Sequence, residues 1–190
     1  MALSTKQRRA LSKYLSWVLR HRPDAIGLEL APGGWLDCAA LRAASAQEGF
    51  AFSHAELQEV VVESDKQRFE LSADQRRVRA VQGHSVEVEL GYVAEAPPEC
   101  TFHGTGQDVV ASILAEGIVP KRRLHVHLSP DRETALVVAR RRPRPTILVV
   151  RSGDMARAGF ELFRAPNGVW LTKHVPQQFV SREPDPSASA

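Results

Sequence analysis

The stretch from Thr101 to Ser129 constrains the fold most, because its residue pattern changes period twice within a short span. Thr101-Phe102-His103 favours a strand, and Gly104 directly after it suits a sharp turn or a close approach to a ligand with no side chain in the way. On this reading His103 and Thr105 flank an exposed turn. Val109, Val110, Ile113 and Leu114 then recur at helical spacing, with Asp108 placed to cap the start and Gly117 placed for a left-handed C-cap. A second strand follows in Arg122-Arg123-Leu124-His125-Val126-His127-Leu128-Ser129. Alternation puts His125 and His127 on one face, with Val126 and Leu128 packing behind. A strand, a glycine turn, a helix and a histidine-bearing strand can form one side of a nucleotide cleft.

The charge is distributed unevenly along the chain. Although the formal net charge is only +3, residues 86–119 hold six acids and no Lys or Arg. From Pro120 to Arg151 there are nine bases against two acids. A locally basic segment suits a polyanionic partner, and a solvated helix face is the plain alternative for Arg140 to Arg144. With 190 residues and 43% hydrophobic content, the chain has enough apolar material for one ordinary domain or two small ones. It contains no run of about 18 apolar residues and no apolar stretch of the signal-peptide kind, so a soluble cytoplasmic protein with no membrane association is expected. Cys38 and Cys100 stand far apart, outside any metal-ligand spacing, and read as small apolar fillers.

Read in order, the chain opens with a capping box at Ser4 and Gln7, and Leu11, Tyr14, Leu15 and Val18 then line one helical face. Pro23 ends this helix near His21, so Arg20 and His21 lie on its last turn, where cations also complement the helix dipole. Gly33-Gly34-Trp35-Leu36 reads as a turn into a short extended piece. Asp37 caps a helix running to about Glu48 and stopped by Gly49, and Ser53 with Glu56 opens another. Arg68 to Leu71 and Arg77 to Val81 form a hairpin around Ser72-Ala73-Asp74-Gln75. Three helices followed by a hairpin resemble a winged helix.

The acidic segment with Pro97 and Pro98 reads as the join between two lobes. Beyond it, Ser129-Pro130 reads as a helix start with proline at its first position. Thr146 to Val150 is a buried strand, and Asp154 to Ala158 a helical turn. Strands around Phe160 to Phe163 and Val169 to Leu171 flank a turn at Pro166-Asn167-Gly168. Ser181 to Ala190 reads as a disordered tail. The expected fold class is α+β: an N-terminal lobe over residues 1–92, a mixed α/β lobe over 93–180, and a tail over 181–190.

His103-Gly104-Thr105, then Arg123-x-His125-Val126-His127-Leu128-Ser129, then Asn167-Gly168-Val169-Trp170-Leu171-Thr172 resemble the NAD-binding lobe of the RNA 2'-phosphotransferases. These are tRNA-splicing-type enzymes with an ADP-ribosyltransferase fold. The resemblance continues upstream through Leu15 to His21, Ser64 to Phe69 and Arg79 to Ser85, and so covers nearly everything from Leu11 to Phe179 in the right order.

It implies a winged-helix-like RNA lobe, an ADP-ribosyltransferase-like lobe, NAD as co-substrate with no metal, and a monomer acting on a tRNA-like RNA that carries an internal 2'-phosphate. That phosphate attacks NAD and expels nicotinamide. The resulting 2'-phospho-ADP-ribosylated RNA then resolves to 2'-hydroxyl RNA and ADP-ribose 1'',2''-cyclic phosphate.

Residue by residue, Arg20, His21, Arg68 and Arg123 match the family's catalytic set. His103, Gly104, Thr105, His127, Ser129, Asn167, Gly168 and Trp170 fall on the NAD side, while Lys66, Gln82, Gly83 and His84 fall on the RNA side. Arginine offers a planar fork for phosphate, and His21 alone in the catalytic set exchanges a proton near neutrality. Each assignment has a plainer counterpart. Arg68 also suits a surface ion pair, and Trp170 a core position. Gln82 to Ser85 either line the phosphate site or simply turn the chain out of the hairpin. His125 and His127 lack a third ligand at a persuasive spacing for metal.

Two further functions stay open. One is an ADP-ribosyltransferase that stops after the first step on phosphorylated RNA or DNA ends. The other is a winged-helix regulator that senses a nucleotide. Its reader helix around Ala55 to Glu63 would carry Glu56, Glu59 and Glu63 and no base, a face that repels phosphate.

Overall fold

The computed structural model describes residues 2–64 and 66–183, and the chain divides into two compact units, Met1–Gly91 and Tyr92–Ala190. In the first unit, helix α1 (Thr5–Arg20) begins at a complete capping box between Ser4 and Gln7. Such a cap contributes about 1 kcal/mol by satisfying amide groups the helix leaves open. Its Leu11, Leu15, Val18 and Leu19 are buried against Leu41, Leu57, Val60, Phe69 and Val78. The outer edge of this core is aromatic: Tyr14 stacks on Phe50 with centroids 4.1 Å apart, and Phe52 meets both edge-on.

Strand β1 (Trp35–Asp37) leads into α2 (Cys38–Gln47), capped by Asp37, and α3 (His54–Val62) opens on the Ser53–Glu56 box. The hairpin β2 (Phe69–Leu71) and β3 (Arg77–Ala80) then joins β1 in an antiparallel sheet of order β1-β3-β2. These elements start and stop where their caps and turn residues say they should. The pattern is helix, strand, helix, helix, strand, strand.

The second unit is built on two antiparallel sheets. One has the order β4-β6-β9, from β4 (Thr101–Gly106), β6 (Pro145–Val150) and β9 (Val180–Arg182). The other has the order β5-β8-β7, from β5 (Val126–Leu128), β7 (Phe163–Arg164) and β8 (Trp170–Thr172). A bridge between Phe102 and Ser129 links β4 to the end of β5. Helices α4 (Val110–Glu116), α5 (Arg132–Ala139) and α6 (Ser152–Arg157) complete it. Val110, Leu128, Leu148, Val150, Met155, Leu162 and Trp170 form its core.

Several local expectations change. His103, Gly104 and Thr105 lie inside β4, paired with β6 from Thr101 to Gly106, and form no turn. Gly104 is needed there because a Cβ would stand 2.1 Å from the Ala135 carbonyl oxygen of α5. The helix, not a ligand, takes the space a side chain would need. Asp108 caps nothing: a 3-10 turn over Gln107–Val109 precedes α4, which has no side-chain cap. Gly117 ends α4 at φ 86° and ψ −170°, outside the left-handed helical region, because its backbone passes so close to Val175 that a Cβ would meet the Val175 oxygen at 2.3 Å.

Asp131, not Pro130, starts α5, its carboxylate accepting from the Thr134 amide at 2.7 Å. The Pro98 carbonyl accepts from Ser152 Oγ at 2.7 Å. Cys38 is buried as expected, but Cys100 is exposed. Of the proposed tail, Ser181 and Arg182 pair in β9, and residues 184–190 lie outside the described residues. Among the described residues, no helix is long and apolar enough to cross a membrane.

Candidate active site

In the first unit, the last turn of α1 brings Arg20 and His21 to the start of the hairpin. Arg20 Nη2 donates to the Arg68 carbonyl at 3.4 Å, and its guanidinium lies 5.9 Å from the Phe69 ring centroid. Arg68 is itself tied back to the end of α3 through its amide and Nη1, both donating to Ser64 Oγ at 3.3 and 3.4 Å. The chain leaving β3 closes the other side. Ser85 donates its amide to the Arg20 carbonyl at 2.8 Å, and Ser85 Oγ shares a 2.8 Å hydrogen bond with His21 Nδ1.

Gly83, at φ 93°, lies against Arg20: a Cβ there would sit 3.6 Å from the guanidinium carbon. The stretch Gln82 to Ser85 therefore both turns the chain out of the hairpin and walls the Arg20–His21 end. His84 is buried in that wall, while Lys66 is exposed on the approach to β2. The Arg20 and His21 side chains, the Arg68 backbone and the Gln82 to Ser85 turn thus meet at one end of α1, from three separate parts of the sequence. Arg68 has no acidic partner among the described residues, so its charge is available to an anion.

In the second unit the site forms where β4 and β5 meet. His103 Nδ1 lies 3.2 Å from the His127 carbonyl oxygen. A carbonyl only accepts, so the proton sits on Nδ1 and the lone pair of Nε2 remains as an acceptor. Burial holds His103 below the usual histidine pKa, and hence neutral near pH 7. Arg123 Nη1 donates to His127 Nδ1 at 3.4 Å, which puts the His127 proton on Nε2. Burial first, and then the neighbouring Arg141 charge, lower the pKa of Arg123 from the ordinary arginine value. Two guanidinium groups sharing one region favour an anion between them.

His125 is lowered by burial and then by Lys173, and its ring stands edge-on to Phe163. Thr105 and Ser129 are both buried, and Ser129 exchanges both backbone hydrogen bonds with Phe102. The β5–β8 register places Trp170 opposite Leu128, so the Asn167-Gly168 turn follows just past the Ser129 end of β5. Asn167 Oδ1 accepts from the Val169 amide at 3.4 Å, and Gly168 takes φ 80°. Trp170 is buried in the core of this unit.

Among the described residues, no group of three or more His, Cys, Asp or Glu side chains could hold a metal ion. The serine that orients His21 was visible in the sequence only as part of a longer motif. Its signal is the turn itself, since Gly83 at positive φ folds Ser85 back onto α1.

Each unit thus carries cationic groups suited to anions: Arg20 and His21 with Arg68 nearby along the chain of contacts in one, and Arg123 beside His127 in the other. Arginine groups of this kind suit phosphorylated ligands. Comparison with known proteins identifies the family. The family model described as RNA 2'-phosphotransferase, Tpt1/KptA family, matches residues 6–174.

Curated relatives named probable RNA 2'-phosphotransferase include one from Acaryochloris marina, 46% identical over 174 residues, which cover 92% of this chain and 96% of the relative. Another, from Agrobacterium fabrum, is 49% identical over 179 residues, covering 94% of this chain and 96% of the relative. A third, from Pseudomonas aeruginosa, is 49% identical over 170 residues, covering 89% and 93%. The chain belongs to the RNA 2'-phosphotransferase family and is a transferase of that type.

Proposed function

We propose that the protein is an NAD-dependent RNA 2'-phosphotransferase acting through a winged-helix-like RNA lobe and an ADP-ribosyltransferase-like NAD lobe. In the first step an oxygen of an internal RNA 2'-phosphate bonds to the ribose carbon that carries nicotinamide, and the carbon–nitrogen bond breaks with its electron pair leaving on nicotinamide. In the second, the adjacent ribose hydroxyl attacks phosphorus. The RNA 2'-oxygen departs and is protonated, leaving 2'-hydroxyl RNA and ADP-ribose 1'',2''-cyclic phosphate.

The observation that carries this reading is that Arg20 and His21 are held against the Gln82 to Ser85 turn, with Arg20 bonded to the backbone of Arg68, in a chain of this family. A phosphate monoester has a second pKa of about 6, so the nucleophile of the first step is already largely deprotonated at pH 7. That step calls for positioning, which fixed arginines supply. His103 Nε2, a neutral acceptor, fits a ribose hydroxyl of NAD, and His127 with Ser129, Thr105 and the Asn167 to Trp170 turn fits the remainder. The second step concentrates charge on the phosphoryl group, where Arg20, Arg68 and Arg123 lower the barrier electrostatically. His21, oriented by Ser85, is the group able to protonate the departing RNA oxygen.

The acids of α3 are committed to structure. Glu56 completes the Ser53 cap, and Glu59 takes the Leu3 amide and Arg8; α3 holds no Lys or Arg and so has no basic face for reading duplex DNA. The deciding experiment incubates the protein with NAD and an oligoribonucleotide bearing an internal 2'-phosphate. Formation of nicotinamide, 2'-hydroxyl RNA and the cyclic phosphate is expected. Failure to form them at any enzyme concentration would overturn the proposal, and a stable ADP-ribosylated RNA as sole product would assign an enzyme that stops after the first step.

A further inference from the structure

The outer face of α1 carries an ordered row that ends at Arg20 and whose other members, Arg9, Lys13 and Ser16, the proposed chemistry does not use. Arg9, Lys13, Ser16 and Arg20 follow one another at spacings of four, three and four residues, on the side opposite buried Leu11, Leu15 and Val18. At about 1.5 Å of rise per residue the row is roughly 16 Å long, enough to track several nucleotides of extended strand.

It borders an open groove of about 460 Å³ between α1 and the end of α3, whose lining includes Arg9, Lys13, Ser12, Ser16, Ser64 and Arg68. Arg68, the phosphate-binding candidate, also lines this groove, so the groove continues directly from the first unit's anion cluster. Of the acids nearby, Glu63 lines the groove and Glu59 stands beside it, and both are paired with Arg8 at 3.8 and 2.9 Å. Arg9 and Lys13 have no acidic partner among the described residues. Positive charge is left uncompensated along a polar channel furnished with hydroxyl donors, which suits the sugar-phosphate backbone of a single strand.

We infer that this groove holds the backbone phosphates of nucleotides flanking the 2'-phosphorylated one, so that the protein takes a single-stranded oligoribonucleotide and not an isolated phosphorylated nucleotide. The inference rests on the proposed function for the identity of the group held at Arg68. It predicts discrimination by length that the arginine cluster alone does not give.

The test compares a 2'-phosphorylated dinucleotide with a ten-nucleotide single strand carrying the same phosphate internally, using the full chain and saturating NAD. The expected KM is about tenfold lower for the longer strand, with kcat unchanged. Arg9→Ala/Lys13→Ala should remove that advantage, shift KM for the dinucleotide less than twofold, and reduce the magnitude of the salt slope of binding by about 1.4, the value for two contacts to a single strand. Equal KM for both lengths in the unaltered protein, or an unchanged KM for the longer strand in the double variant, would overturn the inference. Thermal unfolding of the variant checks folding, and Lys13→Ala alone replaces it if the double variant is unstable.

Fluorescence anisotropy with a labelled ten-nucleotide strand bearing only 2'-hydroxyls separates this inference from the reaction itself. If neither substrate turns over but the double variant weakens this binding about tenfold, the groove stands and the proposed reaction falls. Binding unaffected by the substitutions overturns the groove whether or not turnover occurs.

Discussion

Replacing Gly104 with alanine separates two explanations of the His-Gly-Thr segment. In β4 the glycine faces α5, and an ideal Cβ would stand 2.1 Å from the Ala135 carbonyl oxygen and 2.9 Å from the Ala139 amide nitrogen. Ordinary contact begins near 3.4 Å, so the helix backbone would have to retreat by about 1.3 Å. Neither obstructing atom is the end of a flexible side chain, so relief must come from moving β4 or α5. Overpacking commonly costs 1–3 kcal/mol, and an obstacle made of backbone belongs at the upper end, about 3 kcal/mol.

At roughly 2–4 °C of melting temperature per kcal/mol for a chain of this size, Gly104→Ala should lower Tm by about 10 °C. Thermal unfolding followed by circular dichroism, with NAD affinity measured well below the transition, reads both effects. If the glycine were instead kept for ligand approach, the same change would leave Tm in place and abolish NAD binding. A Tm within about 2 °C of the unaltered protein would refute the packing argument.

The catalytic assignments give further expectations. Arg123→Ala should slow the second step about a hundredfold, about 3 kcal/mol of transition-state stabilisation, and let ADP-ribosylated RNA accumulate in a rapid-quench time course. Arg123→Lys should recover little of it, since a point charge does not reproduce the fork; slower loss of substrate with no intermediate would reassign Arg123 to NAD binding. Ser85→Ala removes the 2.8 Å partner of His21 and should reduce kcat roughly fivefold, the worth of about 1 kcal/mol, with KM for NAD unmoved. For His103 the folded pKa lies below the unfolded value of about 6.5, so the unfolded chain binds more protons between the two values. Stability should therefore fall as pH drops below about 6.5, and His103→Gln should flatten that part of a Tm-against-pH curve; an unchanged slope would contradict the burial of this ring.

The first unit was legible almost throughout because its signals are local. Ser4 with Gln7, Asp37, and Ser53 with Glu56 mark helix starts through bonds spanning three residues, and each is made as the spacing suggests. Around Gly104, Asp108, Gly117 and Pro130 the local signals misled, for reasons that lie elsewhere in the chain. Gly104 answers to α5, some thirty residues downstream, and Gly117 to the backbone at Val175 and Gln177. A glycine declares that something comes close without saying what. Asp108 and Asp131 are equally able to cap, and only the second stands where the chain enters the helix extended, at φ −141° and ψ 165°.

The same distinction applies to the site. Motif residues named the candidate side chains, and periodicity told that Arg20 and His21 close a helix, but how those groups are held depends on contacts across long separations. His21 is fixed by Ser85, 64 residues away, and Arg20 by the Arg68 carbonyl, 48 residues away. His103 has its tautomer set by a carbonyl 24 residues downstream. In each case a side chain is oriented through the backbone or a small hydroxyl, groups that leave little trace in composition or periodicity. The α1 row of Arg9, Lys13, Ser16 and Arg20 is the counterexample. Its spacing is plain in the sequence, yet it reads as an ordinary solvated face until the fold pairs Arg8 with Glu59 and Glu63 and leaves Arg9 and Lys13 with no acidic partner among the described residues. A charge pattern acquires meaning here by subtraction, once the ion pairs made within the fold are taken away from it.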